Sequence, residues 1–334
     1  DGWVYCLRAS DGALVWRFRA APEERLVGAW DQLESAWPVP GSILVVNDTA
    51  YFAAGRCSFA DGGIYVYGVD PRTGDKRCET LLYGPYDEDG HEVIALGKDI
   101  EGALNDILVS DGELVYMRNT PLDLQCVQQE RSAAGPHVIA TGGLLDDAWN
   151  HRTFWTVNTD IGYGGSGRGM PDGEILAVAN NTVYGIRGYP VGRHSTFDPY
   201  AAGYTLFSGD IEAKQATGET TEPKERKKRP RQPSSVTCTE RWSVGIPLCA
   251  KAMVLVGETL FIAGTPNVYD PDDPSGAVEG RKGAQLWAMS AADGTKLAGR
   301  TLRSAPAFDG MIAANGRLYV ATKSGKLVCF GPKG

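Results

Sequence analysis

The 334-residue chain has no apolar run near the roughly 18 residues that cross a bilayer as a helix, so no transmembrane segment is expected. It has no surplus of positive charge either. Its 33 Lys and Arg face 41 Asp and Glu, a formal net charge of −8, the wrong field for gripping phosphates, which excludes nucleic acid as a general partner. Its seven cysteines include no CxxC pair, so neither a zinc ribbon nor a dithiol redox motif is present. Ser and His occur at no spacing diagnostic of nucleophilic catalysis. Asp1 opens no basic and apolar leader. Asp1-Gly2 reads instead as a turn entering a strand, so upstream sequence, where an export signal would lie, is expected to be missing.

What the chain does have is 42 Gly, 19 Pro, 14 Tyr and 8 Trp, a composition suited to many short strands joined by tight turns. One pattern of strand, turn and strand occurs five times: Ile43–Phe52, Ile107–Tyr116, Ile175–Tyr184, Met253–Ile262 and Met311–Val320. The turns carry Asn47-Asp48, Asp111-Gly112, Asn180-Asn181, Gly257-Glu258 and Asn315-Gly316, mostly residue types that tolerate the positive φ of hairpin turns. A second unit of strand, Gly-containing turn and strand follows at Val4–Trp16, Val66–Cys78 and Leu286–Leu297. Joined in sequence, the two units make a four-stranded antiparallel blade. The fold predicted is all-β, a single β-propeller domain over residues 1–334.

These second units resemble the "A-x-D-x-x-T-G-x-x-x-W" repeat of PQQ-like (quinoprotein alcohol dehydrogenase-like) propellers, in which Gly makes the turn and Trp packs between blades. Trp16 keeps that Trp, whereas Cys78 and Ala298 stand in its place, which reads as decay of the docking pattern. Asp1–Phe18 and Trp30–Gly63 are also similar to blades of a bacterial PQQ-like repeat family. The resemblance implies an eight-bladed ring, of which this chain would be the C-terminal part: about six blades, N-terminally incomplete, with open edges. It further implies a periplasmic or otherwise extracytoplasmic location, and PQQ with Ca²⁺ as the cofactors of the catalytic members. Those members use a carboxylate base and usually an adjacent cysteine pair, and no two cysteines are adjacent here.

Long connections on a rigid scaffold are where binding residues concentrate. The first candidate site is the stretch holding Trp30, Asp31, Glu34 and Trp37, with Arg56 at the end of the following hairpin; indoles and carboxylates suit a sugar or quinone ring. The second holds Asp146, Asp147, Trp149, His151, Arg152 and Trp155, in which Arg152 could fork onto an anion and His151 could move a proton. Blade packing is the competing reading for both. Asp270, Asp272 and Asp273 offer oxygen ligands for a metal such as Ca²⁺ but lack EF-hand spacing. The glycines from 162 to 169 lack the βαβ context of a phosphate loop and read as a plain loop. Residues 212–236, rich in Lys, Arg, Pro and Thr, read as a disordered loop insertion.

Cys57 with Cys78, and Cys238 with Cys249, are possible disulfides in an oxidising compartment. Cys6 and Cys329, in matching apolar strands, read as packed side chains. The function these features favour is a monomeric, non-catalytic binding or scaffold propeller of the cell envelope, with a protein or carbohydrate partner. A PQQ-dependent dehydrogenase and a carbohydrate-active propeller are the alternatives.

Overall fold

A computed structural model describes residues 1–29, 32–91, 102–140, 155–159, 171–188, 203–213 and 236–331. The strands β1 (Trp3–Leu7) and β2 (Leu14–Arg19) pair as a hairpin, and β3 (Leu26–Ala29) pairs with β4 (Gln32–Ser35). The first four-stranded sheet is β5 (Leu44–Val46), β6 (Thr49–Ala54), β7 (Ile64–Val69) and β8 (Lys76–Leu82). Two three-stranded sheets follow: β9 (Val109–Ser110), β10 (Leu114–Met117) and β11 (Thr120–Asp123), then β12 (His137–Ala140), β13 (Trp155–Asn158) and β14 (Asp172–Gly173). The next two sheets are four-stranded. They are β15 (Ile175–Ala179), β16 (Thr182–Arg187), β17 (Tyr204–Ala213) and β18 (Val236–Ile246), then β19 (Leu248–Val256), β20 (Thr259–Pro266), β21 (Ala284–Ser290) and β22 (Lys296–Leu302). The last sheet is β23 (Pro306–Ala314), β24 (Arg317–Thr322) and β25 (Leu327–Phe330). All pairing is antiparallel and sequential, which is the blade pattern of a propeller.

All five predicted hairpins form. Their turns place Asn47, Asp48, Gly112, Asn180, Gly257, Asn315 and Gly316 at positive φ, as the choice of Asn, Asp and Gly anticipated. Each sheet buries its face on the next through a separate apolar cluster. Val4, Ala20, Phe52 and Tyr67 join β1–β2 to the first four-stranded sheet, and Tyr51, Val66, Val115 and Leu122 join that sheet to β9–β11. Ile186, Leu206, Leu248 and Ile262 join the two later four-stranded sheets, and Leu286, Met311, Leu318 and Val320 seat the last one. The core is thus divided among the seams between blades, as expected of stacked repeats.

Two expectations are corrected here. Residues 212–236 do not form a wholly irregular insertion: Glu212 and Ala213 end β17, Val236 opens β18, and the strands pair up to Ala213 against Val236. Residues 214–235 lie outside the described set. Cys329, expected to pack, is exposed, because β25 turns Val328 and Phe330 rather than Cys329 towards the neighbouring blade.

Candidate functional site

One repeat position governs how blades are fastened. In four sheets a bulge falls immediately after a particular pair on the outer two strands: Cys6 with Trp16, Gly68 with Cys78, Ser208 with Trp242, and Ala288 with Ala298. From that position the Trp16 indole N–H donates to the Pro71 carbonyl at 3.1 Å, and the Trp242 indole donates to the Ala291 carbonyl at 3.1 Å. Both rings lie over the glycine of the next blade's outer turn. A Cβ on Gly74 would meet Trp16 at 2.8 Å and one on Gly294 would meet Trp242 at 2.7 Å, and both glycines have positive φ. Glycine is therefore demanded twice, by backbone conformation and by the indole above it.

Cys78 occupies the same position and reaches the corresponding turn of β9–β11, where it forms a disulfide with Cys126 across a Cα–Cα distance of 5.9 Å. The substitution read as decay is a covalent version of the same fastening. It also corrects the pairing anticipated for Cys57 with Cys78 and for Cys238 with Cys249, since Cys57, Cys238 and Cys249 are free thiols. The reason is geometric: Cys78 points out of its blade towards the next one.

Where the inner strands begin, polar side chains gather. One or two places before the five hairpins stand Ser42, Asn105 with Asp106, Glu174, Lys251 and Asp309. Several of them bridge seams. Ser42 Oγ donates to Asp309 Oδ2 at 2.8 Å, across 267 positions of sequence, and so ties the first four-stranded sheet to the last sheet. Asn105 Nδ2 donates to the Gly55 carbonyl at 2.8 Å. Lys251 Nζ lies 3.7 Å from Glu174 Oε2. Burial pushes the Glu174 carboxyl above its ordinary range, with Lys251 opposing the shift. Burial likewise raises Asp309, with the Ser42 hydroxyl opposing. On the same strand as Lys251, burial raises the Cys249 thiol, which keeps it protonated rather than nucleophilic.

The first candidate stretch is partly assembled. Glu34 forms an ion pair with Arg56. Trp37 is 4% exposed and donates its indole N–H to the Asp61 carbonyl at 2.8 Å, under the Arg25 guanidinium. Arg25 in turn pairs with Asp61 at 2.6 Å. Trp30 and Asp31 lie outside the described residues, as do Asp146, Asp147, Trp149, His151 and Arg152 and the glycine-rich loop at 162–169. Trp155 is 8% exposed and packs with Ile107 and Ala140. Of the three aspartates offered for a metal, Asp270 meets Lys282, and Asp273 pairs with Arg281 and lies 3.7 Å from Lys282. Asp272 donates its backbone N–H to Asp270 Oδ1 in the same loop.

Sequence reasoning missed Ser42, Asn105, Glu174, Lys251 and Asp309. Aligning the five hairpins on their turns and reading the residues just before them would have found the set. The described residues where the inner strands begin do not fit the quinone set implied by the family resemblance. That set usually includes an adjacent cysteine pair, whereas Cys78 is bonded 48 positions away, and the Glu174 and Asp309 carboxyls face Lys251 and Ser42 across seams.

No family model matches the chain, and no curated protein matches it in sequence. Solved structures similar to it include BamB from Moraxella catarrhalis, at 12% identity over 98% of this chain and 78% of that one, with a TM-score of 0.42. Saccharomyces cerevisiae Sqt1 is similar at 9% identity over 98% and 78% of the two chains, TM-score 0.41. The quinohemoprotein alcohol dehydrogenase ADHIIG from Pseudomonas putida HK5 is similar at 12% identity over 96% of this chain and 59% of its own length, TM-score 0.41. What makes the fold plain is the chain's own strand pairing: it is a β-propeller of antiparallel blades.

Proposed function

We propose that the chain is a non-catalytic binding scaffold working in the cell envelope. One observation carries the reading: the polar groups where the inner strands begin are engaged in holding blade to blade, as Ser42 with Asp309 and Lys251 with Glu174 illustrate. Such contacts make a rigid frame on which loops and edges meet partners. The Cys78–Cys126 disulfide supports an oxidising compartment, where such bonds persist. The indoles of Trp37 and Trp155 are packed by protein, and so give the carbohydrate reading no support.

The test has two arms. PQQ and Ca²⁺ are added to the purified protein, and quinone absorbance and dye-linked alcohol oxidation are followed. In parallel, label-transfer crosslinking is run in envelope extracts. The scaffold reading expects discrete crosslinked species and no turnover. Turnover abolished by Glu174→Gln or Asp309→Asn would overturn it.

A further inference from the structure

His137 opens β12 and is only 6% exposed. Both of its ring nitrogens meet backbone carbonyls: Nδ1 lies 2.8 Å from the Gly135 oxygen, and Nε2 lies 2.8 Å from the Arg118 oxygen. A carbonyl can only accept, and a neutral imidazole has a single N–H to give. A neutral ring would therefore set a nitrogen lone pair against an oxygen lone pair in a buried place. An imidazolium satisfies both contacts. Arg118 directly follows β10, and His137 begins the next sheet, so the Nε2 contact crosses the seam between β9–β11 and β12–β14. The Arg118 Nε crosses it too, donating to the Ala140 carbonyl at 3.1 Å. One seam earlier the matching carbonyl, that of Gly55 directly after β6, is held by the Asn105 amide, which does not titrate.

The surroundings suit a cation. The Tyr116 ring stacks on the imidazole, with centroids 3.8 Å apart and planes 10° from parallel, which sets an electron-rich face against the ring. The Tyr116 hydroxyl donates to Asp111 Oδ2 and accepts from the Gly135 N–H. Burial and the Asp111 carboxylate both raise the Tyr116 phenol, so the proton between them stays on the phenol. Burial acts against charge on Asp111, but hydrogen bonds from Tyr116 and from the Leu114 and Glu113 N–H groups hold its carboxyl below the ordinary range. On the elements around the ring, Asp106 and Asp111 bracket β9, Glu113 and Arg118 bracket β10, and Glu130 and Arg131 open the short 3-10 turn Arg131–Ala133. Across the pair on β13 stands uncharged Asn158. Four carboxylates against two guanidiniums favour the charged ring.

We infer that His137 is held as an imidazolium clamping the β9–β11 sheet to the β12–β14 sheet, and that loss of its proton loosens this one seam, a pH-sensitive device built into the fold. Two carbonyl acceptors, the stacked phenol and the Asp111 carboxylate behind it outweigh the burial that opposes the charge. A histidine whose folded pKa is raised contributes stability that is fully present below the unfolded value of about 6.5 and is lost as pH rises through the folded value. The seam is therefore tight in acid and loosens towards alkaline pH, releasing the corner at Arg118 from the start of β12. The seam held by Asn105 does not respond. The device goes beyond the scaffold reading and does not depend on it.

Two measurements on the full wild-type chain test this. The chain has four histidines, and long-range ¹⁵N–¹H correlation spectra of the labelled protein report the protonation of each ring between pH 5 and pH 9. One ring is expected to keep both nitrogens protonated at pH 7, with a midpoint at least one unit above 6.5, and to be missing from the spectrum of His137→Gln. Amide hydrogen exchange, normalised for its intrinsic pH dependence, is followed in parallel. Peptides within 114–140 should exchange at least about tenfold faster at pH 9 than at pH 6, the factor that one unit of raised pKa confers. Peptides within 43–58, on the Asn105 seam, should not change. In His137→Gln the difference between the two pH values should vanish; if that variant fails to fold, the wild-type measurements decide alone. A neutral His137 at pH 7 in the folded protein would overturn the inference. So would exchange in 114–140 that stays constant while the ring loses its proton.

Discussion

Trp16, Cys78 and Trp242 perform one task with two chemistries. Each leaves its blade at the same bulge and fastens onto the next turn, the indoles by a hydrogen bond over glycine and the thiol by a covalent bond. Because the cross-link spans 48 residues, loop-closure entropy gives it about 4 kcal/mol. Cys78→Ser should cost between about 2 and 4 kcal/mol in denaturant melts. Dithiothreitol should reproduce that loss in the wild type and add nothing in the variant. Trp242→Ala, which empties the other fastening, should cost about 3–5 kcal/mol. The Trp16 signature was legible in sequence, but Cys78 was read as a loss because a thiol has none of indole's size. Trp242 escaped because residues 214–235 separate β17 from β18 and break the spacing of the repeat. Burial of Asp309 gives a further residue-scale expectation. Its carboxyl is raised in the folded state, so the folded protein binds more protons than the unfolded chain and stability falls as pH rises above about 4. Asp309→Asn keeps an acceptor for Ser42 and removes the charge. The variant should be more stable than the wild type at pH 7, with the advantage disappearing near pH 3 in urea titrations.

Among the elements, the five hairpins were readable because turn chemistry and strand alternation agree in each copy. The β12–β14 sheet and the β3–β4 hairpin were not. Their strands are four residues or fewer, and neither the Trp30-Asp31 link of β3–β4 nor the long connection from β12 to β13 matches the turns of the five repeated hairpins. The site was less legible than the fold. A side chain such as Lys251 or Glu174 acquires its partner only when two blades stack, and no spacing within either blade records that contact. The β17–β18 pair yields its own prediction. Pairing continues to Ala213 against Val236, so replacing residues 214–235 with a four-residue turn should leave the sheet intact. Shortening that connection should stabilise the protein by about 1–2 kcal/mol from loop closure alone. Thermal melts of the shortened chain check this, and a lower melting temperature would mean that the replaced residues support the blade.

At the scale of the whole molecule, stability is distributed over seams rather than held in one core. The seams carry apolar clusters, three of them add an indole or a disulfide towards the outside, and polar bridges such as Ser42–Asp309 and Lys251–Glu174 stand where inner strands begin. The Ser42–Asp309 contact brings the first and last complete series of inner strands together, although their residues lie 267 positions apart. The account stands on the equivalence of Trp16, Cys78 and Trp242, because that equivalence sets the register of every blade between them. Non-reducing peptide mapping by mass spectrometry, on protein produced in an oxidising compartment, tests it most directly. The account predicts one internal cross-link, between the peptides holding Cys78 and Cys126, with Cys57, Cys238 and Cys249 open to alkylation once the protein is unfolded. A cross-link joining Cys57 to Cys78, or Cys238 to Cys249, would contradict it.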